Sequence, residues 1–346
     1  MSLSDAASVT VRGDYTQLMK LMRQSGLLER RYGYYFAKMT LTLLAFAAGW
    51  VALFLVGDSW WQLLVAGFLG FMFTQVAMIG HDAGHRQIFT SRKPSSVIGL
   101  VLGNLFVGLS WGWWIDKHTR HHAHPNQEEL DPDISVEVLV FSEEQAHKMR
   151  RSWISQFITR YQAILFFPLL LLEGLNLHVS SVEALVKGKV TRAKWLEVVL
   201  LSIHLVTVVG TAFLLLSPGK AIAFLAVQQA VFGFYMGCSF APNHKGMPIF
   251  AREEKIDFLR RQVLTSRNIR GGVFADFLLG GLNYQIEHHL FPSMPRCNLK
   301  HAQHVVRDFC REHSISYYET SAARSYYEVL QHLHESSRPL RVGQPG

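Results

Sequence analysis

Long apolar runs punctuated by short polar stretches set the pattern of the chain. Uncharged hydrophobic segments extend over Met39 to Gly57, Ser59 to Gly80, Val97 to Ile115, Val198 to Ser217 and Ala221 to Asn243, with a shorter one from Tyr161 to Leu172. At about 1.5 Å per residue, each of the first five is long enough to cross a hydrocarbon core of about 30 Å as a helix. Histidine-rich clusters follow the second, third and fifth runs: HDAGH (81–85), HTRHH (118–122) and QIEHH (285–289). If they build one site, they lie on one side of the membrane, and the Val97 to Ile115 run cannot cross.

That run carries Gly99, Gly103, Gly108, Gly112 and Asn104, which suit a re-entrant or interfacial hairpin sheltered by protein. The Tyr161 segment, interrupted by Pro168, Glu173, Asn176 and His178, is expected on the interface. The pattern predicts an all-α integral membrane protein with four transmembrane helices in two hairpins, interfacial or re-entrant helices, and a cytosolic helical cap carrying the histidine clusters. The expected layout is a cytosolic N-terminal segment (1–38), a first hairpin (39–80), a cytosolic and interfacial region (81–197), a second hairpin (198–243), a cap (244–335) and a polar tail (336–346). After Pro295 the cap reads as amphipathic helices.

Composition sharpens this picture. Of 346 residues 49% are hydrophobic and only 17% charged, which is too apolar for a two-domain soluble enzyme. The net charge of +8 would suit a nucleic-acid binder, but such proteins do not carry several uncharged runs of this length. A basic membrane face explains it better. Lys20, Arg23, Arg30, Arg31, Lys38, Arg86, Arg92 and Lys93 all fall on the histidine side, whereas the outer connections offer only Lys220. The positive-inside rule then places the histidines and both termini in the cytoplasm. Cys238, Cys297 and Cys310 are far apart and form no CxxC pair, so neither a disulfide framework nor a thiolate metal site is expected. The N-terminus lacks a secretory signal pattern.

In HDAGH, His81 and His85 stand at i and i+4, on one face of a helix about a turn apart, as a metal clamp requires. HTRHH places His118, His121 and His122 at i, i+3 and i+4, and QIEHH repeats the spacing with Gln285, His288 and His289. One such pair is a weak signal; seven histidines in three boxes beside membrane spans are hard to explain as ordinary core or surface residues. Imidazoles without thiolates suit a first-row metal, and oxygen chemistry at such sites points to iron. The set exceeds what one ion can hold, which implies two.

HDAGH, HTRHHAHPN, APNHKGMP and GGLNYQIEHHLFPSMPR resemble the boxes of membrane-bound fatty acid desaturases, particularly the bacterial acyl-CoA desaturases and the linoleoyl-CoA, front-end branch. The likeness runs from about residue 30 to residue 315. It implies His81, His85, His118, His121, His122, His288 and His289 as iron ligands, with His244 of APNHKGMP as the additional histidine between the second and third boxes. Gln285 stands where many relatives have histidine; a neutral amide there either ligates weakly or orients a neighbour. Asp82 and Glu287, inside the boxes, are favoured over Asp131, Asp133 and Asp276 as acceptors for the second N–H of a ligating imidazole. His124 points away from the box stripe and is expected to be solvated. His204, alone in a span, is read as an interhelical hydrogen-bonding residue. His147, His178, His301, His304, His313, His332 and His334 are read as interfacial or solvent-facing.

The resemblance implies an O₂-dependent di-iron desaturase that inserts a cis double bond into an acyl-CoA or acyl-lipid chain. Removing hydrogen from an unactivated methylene needs an oxidant that side chains cannot supply. The chain shows no HPGG haem motif, cysteine cluster or GxGxxG loop, so electrons are expected from a separate donor, a ferredoxin or flavoprotein reductase or a cytochrome b5-like protein. Substrate and membrane lipid are the other expected partners, and nucleic acid is not. An alkyl hydroxylase would share the boxes. A histidine-rich metal transporter would need ligands at mid-membrane, and here the boxes lie beyond the span ends.

Overall fold

The computed structural model describes residues 3–135, 138–148, 152–190 and 192–342, so the last four residues of the expected polar tail lie outside the described residues. Among the described residues the regular elements are helices, apart from two short strands. In order, α1 (Leu3–Gln24), α2 (Tyr32–Val56), α3 (Gln62–Gly84) and α4 (Arg92–Leu100) lead into a π-helical turn, Val101–Val107, and α5 (Trp111–Ala123). Then come α6 (Glu143–Lys148), α7 (Trp153–Arg160), α8 (Gln162–Leu170), α9 (Glu173–Val186), α10 (Lys194–Leu215) and α11 (Pro218–His244). The remainder is α12 (Phe258–Leu264), β1 (Asn268–Arg270), α13 (Val273–Leu278), α14 (Gln285–Leu290), α15 (Arg296–Glu312), β2 (Glu319–Ser321), α16 (Ala322–Ser336) and α17 (Arg338–Val342).

Four of these, α2, α3, α10 and α11, are long and apolar enough to cross a membrane. They begin a few residues away from the apolar runs because helices admit polar residues at their ends: α2 starts at Tyr32, and α11 continues through Pro242 to His244. The Val97 to Ile115 run is broken, with the Arg92–Val107 and Trp111–Ala123 segments bent by 113°, and the α8 and α9 segments are bent by 75°. These are the two stretches whose glycines, proline and polar residues argued against a simple span.

Residues contact one another as two compact units. The hairpin unit comprises Arg30–Lys117 and Phe167–Cys238. In it α3 is the inner helix, with 67% of its apolar window buried, against 22% for α2 and for α10. Leu44, Phe54 and Leu55 of α2 and Val206 and Leu214 of α10 stay exposed, as expected of surfaces solvated by lipid rather than water. The two outer connections are tied together: Asp58 accepts the Ser217 N–H at 2.9 Å, and Lys220 Nζ donates to the Asp58 carbonyl at 2.9 Å.

The bend before α5 turns on Gly108, whose φ of +81° lies in the left-handed region and whose added Cβ would strike the His204 ring at 2.4 Å. The imidazoles around it clamp the end of the π-helical turn, where the last carbonyls of a helix have no intrahelical partner. His204 Nδ1 donates to the Leu105 carbonyl at 2.9 Å, the interhelical role expected of it. His178 departs from expectation. It is buried, not interfacial, with Nδ1 at 2.7 Å from the Gly174 carbonyl and Nε2 at 3.2 Å from that of Val107.

The strand-bearing unit comprises Met1–Glu29, His118–Phe166 and Ser239–Gly346. Its core gathers Leu18 and Met22 of α1, Leu259 and Val263 of α12, Ile286 and Leu290 of α14, and Val306 and Phe309 of α15. The amphipathic period of α15 buries Leu299, Ala302, Val306 and Phe309 on one face and exposes Lys300 and His301 on the other. β1 and β2 pair in parallel, Asn268 opposite Glu319 and Arg270 opposite Ser321. Helix α1 belongs to this core, where Tyr15 Oη donates to the Leu290 carbonyl at 3.0 Å and Asp14 pairs with Arg260.

Candidate metal centre

The histidine boxes sit on helix ends in both units. In the hairpin unit His81 lies in the last turn of α3 and His85 just beyond it, their rings 4.7 Å apart. Both sit on one helical face, and the His81 ring also meets the edge of Trp114 at 5.7 Å. Asp82 Oδ1 is 3.6 Å from His81 Nδ1, too far for a hydrogen bond.

The second box forms the C-terminal half of α5, whose start is held by side chains. An α-helix leaves its first N–H groups without intrahelical partners. Here Trp111 N–H donates to Asn104 Oδ1 at 3.2 Å, Gly112 N–H to Glu197 Oε1 at 3.0 Å, and Trp113 N–H to Ser110 Oγ at 3.2 Å. Asn104 Nδ2 and Ser110 Oγ donate in turn to Glu197 Oε2, at 3.1 and 2.6 Å. Glu197, buried at the start of α10, therefore closes the N-terminus of the helix that carries His118, His121 and His122.

Within the strand-bearing unit, the structure brings together the second box, His244 and the third box. The His118 and His122 rings are 4.6 Å apart, those of His122 and His288 4.9 Å, and those of His122 and His289 4.2 Å. His121, His244 and His289 form one set able to hold an ion: each is buried, and one ring nitrogen from each lies within 4.8 Å of the others. They come from the ends of α5 and α11 and from α14, so only the tertiary fold makes the cluster.

Each ring of this trio is oriented from behind. His121 Nδ1 faces both oxygens of Asp131 at 3.0 and 3.1 Å. Asp131 is fixed by accepting the Asn126 and Asp133 N–H groups, at 2.8 and 2.9 Å. His244 Nδ1 donates to the Thr265 carbonyl at 3.0 Å, and His289 Nδ1 lies 2.9 Å from Gln262 Oε1. Oxygen acceptors at Nδ1 place the proton there and the lone pair on Nε2, the state in which imidazole ligates a metal. Three buried imidazoles in this tautomer, without thiolates, fit a first-row transition ion.

Gln285 takes part directly. Its Nε2 lies 2.9 Å from His244 Nε2, and its Oε1 accepts from Asn243 Nδ2 at 3.3 Å. An ion at His244 would replace that contact and find the Gln285 amide beside it. The carboxylate roles differ from expectation. Asp131, not Glu287, backs an imidazole, while Glu287 accepts from Asn268 Nδ2 at 2.6 Å and Tyr317 Oη at 2.8 Å. Burial pushes the Glu287 carboxyl up to about 7, partly offset by those two donors. Asn268 Oδ1 also accepts the Ile286 N–H at 2.9 Å, so β1 grips the start of α14. His124 is hydrogen-bonded rather than simply solvated, with Nδ1 at 3.0 Å from Gln127 Oε1. Asp276 accepts from Asn283 Nδ2 at 2.8 Å.

Glu197, Gln262, Thr265 and Asn268 were invisible to the motif reading. Only Glu197 had a signal, a lone carboxylate at the edge of an apolar run.

A model of the fatty acid desaturase family matches residues 58–321. The chain is 32% identical over 332 residues to an acyl-lipid (9-3)-desaturase of Physcomitrium patens, covering 93% of this chain and 62% of that protein. It is 29% identical over 342 residues to the Delta(6)-fatty-acid desaturase fat-3 of Caenorhabditis elegans, covering 95% and 76%. With the Delta(5) fatty acid desaturase fat-4 of the same organism it shares 28% over 326 residues, covering 91% and 72%. The chain thus spans under two thirds of the first relative's length and about three quarters of the others'. With a histidine cluster suited to a metal ion, helices able to cross a membrane and a family match over most of its length, this chain belongs to the fatty acid desaturase family.

Proposed function

We propose that this protein inserts a cis double bond into a fatty acyl chain carried on CoA or a membrane lipid, using two iron ions and O₂. The observation that carries the reading is the buried trio His121, His244 and His289, each ring backed by an oxygen acceptor. As iron ligands we assign His81, His85, His118, His121, His122, His244, His288 and His289, with Gln285 beside His244 as a weak ligand or an orienting amide. When bound, iron with O₂ supplies the oxidant strong enough to take hydrogen from an unactivated methylene.

The chain's own residues do the rest. Asp131, the Thr265 carbonyl and Gln262 keep three imidazoles in the ligating tautomer, and burial of these rings keeps water from the reacting centre. The lipid-facing surfaces of α2 and α10 keep the enzyme in the bilayer where its acyl substrate dissolves. We place the boxes and both termini on the cytosolic side, following the asymmetry of Lys and Arg. Electrons come from a separate protein, a ferredoxin or flavoprotein reductase or a cytochrome b5-like donor.

The test is to express the chain in an iron-replete host with its native donors and locate new double bonds in the total fatty acids by mass spectrometry. Wild type should give a new unsaturated species and His244→Ala none. A hydroxylated product, or no new species while a known desaturase works in the same host, refutes the reading.

A further inference from the structure

Helix α12 bears no histidine and belongs to no box, yet its side chains and C-terminal carbonyl meet three ligand-bearing segments within the strand-bearing unit. Arg261 Nη1 donates to the carbonyl of Ala123, the last residue of α5, at 3.0 Å. Gln262 Nε2 donates to the carbonyl of His122 at 3.1 Å, and Gln262 Oε1 faces His289 Nδ1 at 2.9 Å. Just past the helix, the Thr265 carbonyl accepts from His244 Nδ1 at 3.0 Å. The helix is itself pinned, since Asp257 Oδ1 caps it at the Arg260 N–H at 3.1 Å and Leu259 and Val263 are wholly buried.

The chemistry at Gln262 admits one arrangement. A carbonyl oxygen only accepts, so the amide edge facing His122 must be the NH₂ group. The other edge is then the carbonyl oxygen, and His289 must present a proton to it from Nδ1. Gln262 therefore selects the Nδ1–H tautomer of His289 and holds the lone pair on Nε2, while the same side chain ties that ring to the backbone of the second box. Gln262 is completely buried, so no water competes for either bond.

We infer that Gln262 is a positioning residue of the metal centre, setting the tautomer, orientation and donor strength of His289 and coupling the second and third boxes. The three rings have graded acceptors: a carboxylate behind His121, a backbone carbonyl behind His244 and a neutral amide behind His289. A neutral amide oxygen polarises its ring less than the Asp131 carboxylate does, which leaves His289 a weaker donor than His121 and makes Gln262 the residue through which its strength is adjusted.

This rests on reading the histidine cluster as a metal centre, and the experiment separates the two. The full-length protein, purified metal-free in lipid nanodiscs, is titrated with Co(II), reading the visible d–d bands and the dissociation constant by competition with a chelator. Gln262→Leu keeps the volume and removes both hydrogen bonds. It should weaken Co(II) binding by about 10- to 100-fold at one ion and shift the bands, with helix content by circular dichroism unchanged. Gln262→Glu keeps an oxygen acceptor on His289 and adds charge, so its band shift should be opposite in sign to that of the leucine variant. If the leucine variant fails to fold, the glutamate variant alone decides: wild-type bands in it overturn the inference. Wild-type affinity and bands in a folded Gln262→Leu protein overturn it too while leaving the metal centre standing. A wild-type protein that takes up no Co(II) overturns both.

Discussion

Glu197 offers the sharpest test of how the fold closes the start of α5. The perturbation is Glu197→Ala. One carboxylate accepts from Asn104 Nδ2, Ser110 Oγ and Gly112 N, at 3.1, 2.6 and 3.0 Å, and is 1% exposed. Truncation leaves three donors without that acceptor in a site that water does not reach. Each stranded buried donor costs about 1–3 kcal/mol. Local relaxation recovers part of that, so the net loss should be about 3–5 kcal/mol. For a chain of this size that lowers the melting temperature by about 4–7 °C. Glu197→Gln keeps the volume and one oxygen acceptor but turns an NH₂ group onto other donors, and should lose about half as much. The assay is thermal unfolding in detergent, followed by fluorescence-detected size exclusion. Glu129→Gln serves as control, because it breaks only the exposed pair with Arg252 and should cost about 0–1 kcal/mol. If Glu197→Ala melts within about 2 °C of wild type, or no lower than Glu129→Gln, the capping argument is refuted.

Asp131→Asn keeps an oxygen toward His121 but loses the charge, and should lower metal affinity by about 10- to 100-fold with little change in fold, read by Co(II) competition. His244→Ala should abolish product formation and reduce bound iron measured by plasma mass spectrometry; unchanged iron content would remove His244 from the ligand set. Arg267, wholly buried, donates through Nε to the Pro242 carbonyl at 2.6 Å and pairs with Glu328, so Arg267→Met should destabilise by about 3 kcal/mol in urea or heat. Burial raises the Glu328 carboxyl, but hydrogen bonds from Tyr318 and Arg324 and the Arg267 charge outweigh it and hold the group below the usual carboxylate range. A depressed carboxylate stabilises the fold above its unfolded value and loses that contribution as pH falls through its folded value. Wild type should therefore lose stability below about pH 4, and Glu328→Gln should show a flatter melting curve there.

Much of the architecture is written locally. Apolar runs of about 20 residues impose spanning helices because a bilayer offers the backbone no partner but itself. The glycines of 99–112 and Pro168 mark where such runs bend. Box spacing at i, i+3 and i+4 likewise declares the metal-binding face, since a helix aligns those positions. The resemblance of the boxes to those of fatty acid desaturases was legible for the same reason, with all the diagnostic residues local to short motifs.

The partners behind the imidazoles carried no such signal. Glu287 lies beside His288 in sequence, yet a helix turns adjacent side chains about 100° apart, and its carboxylate went to Asn268 and Tyr317 instead. Asp131 reaches His121 through a turn after α5, Gln262 and Thr265 arrive from α12, and Glu197 comes from the start of α10 to close a helix 85 residues earlier. Hydrogen bonds across such separations leave no periodicity. The sequence by itself determined that helices span a membrane and that histidines gather at their ends. Only the tertiary structure decided which oxygen stands behind which ring, because that depends on how helices from distant parts of the chain pack, and packing is a property of no single segment.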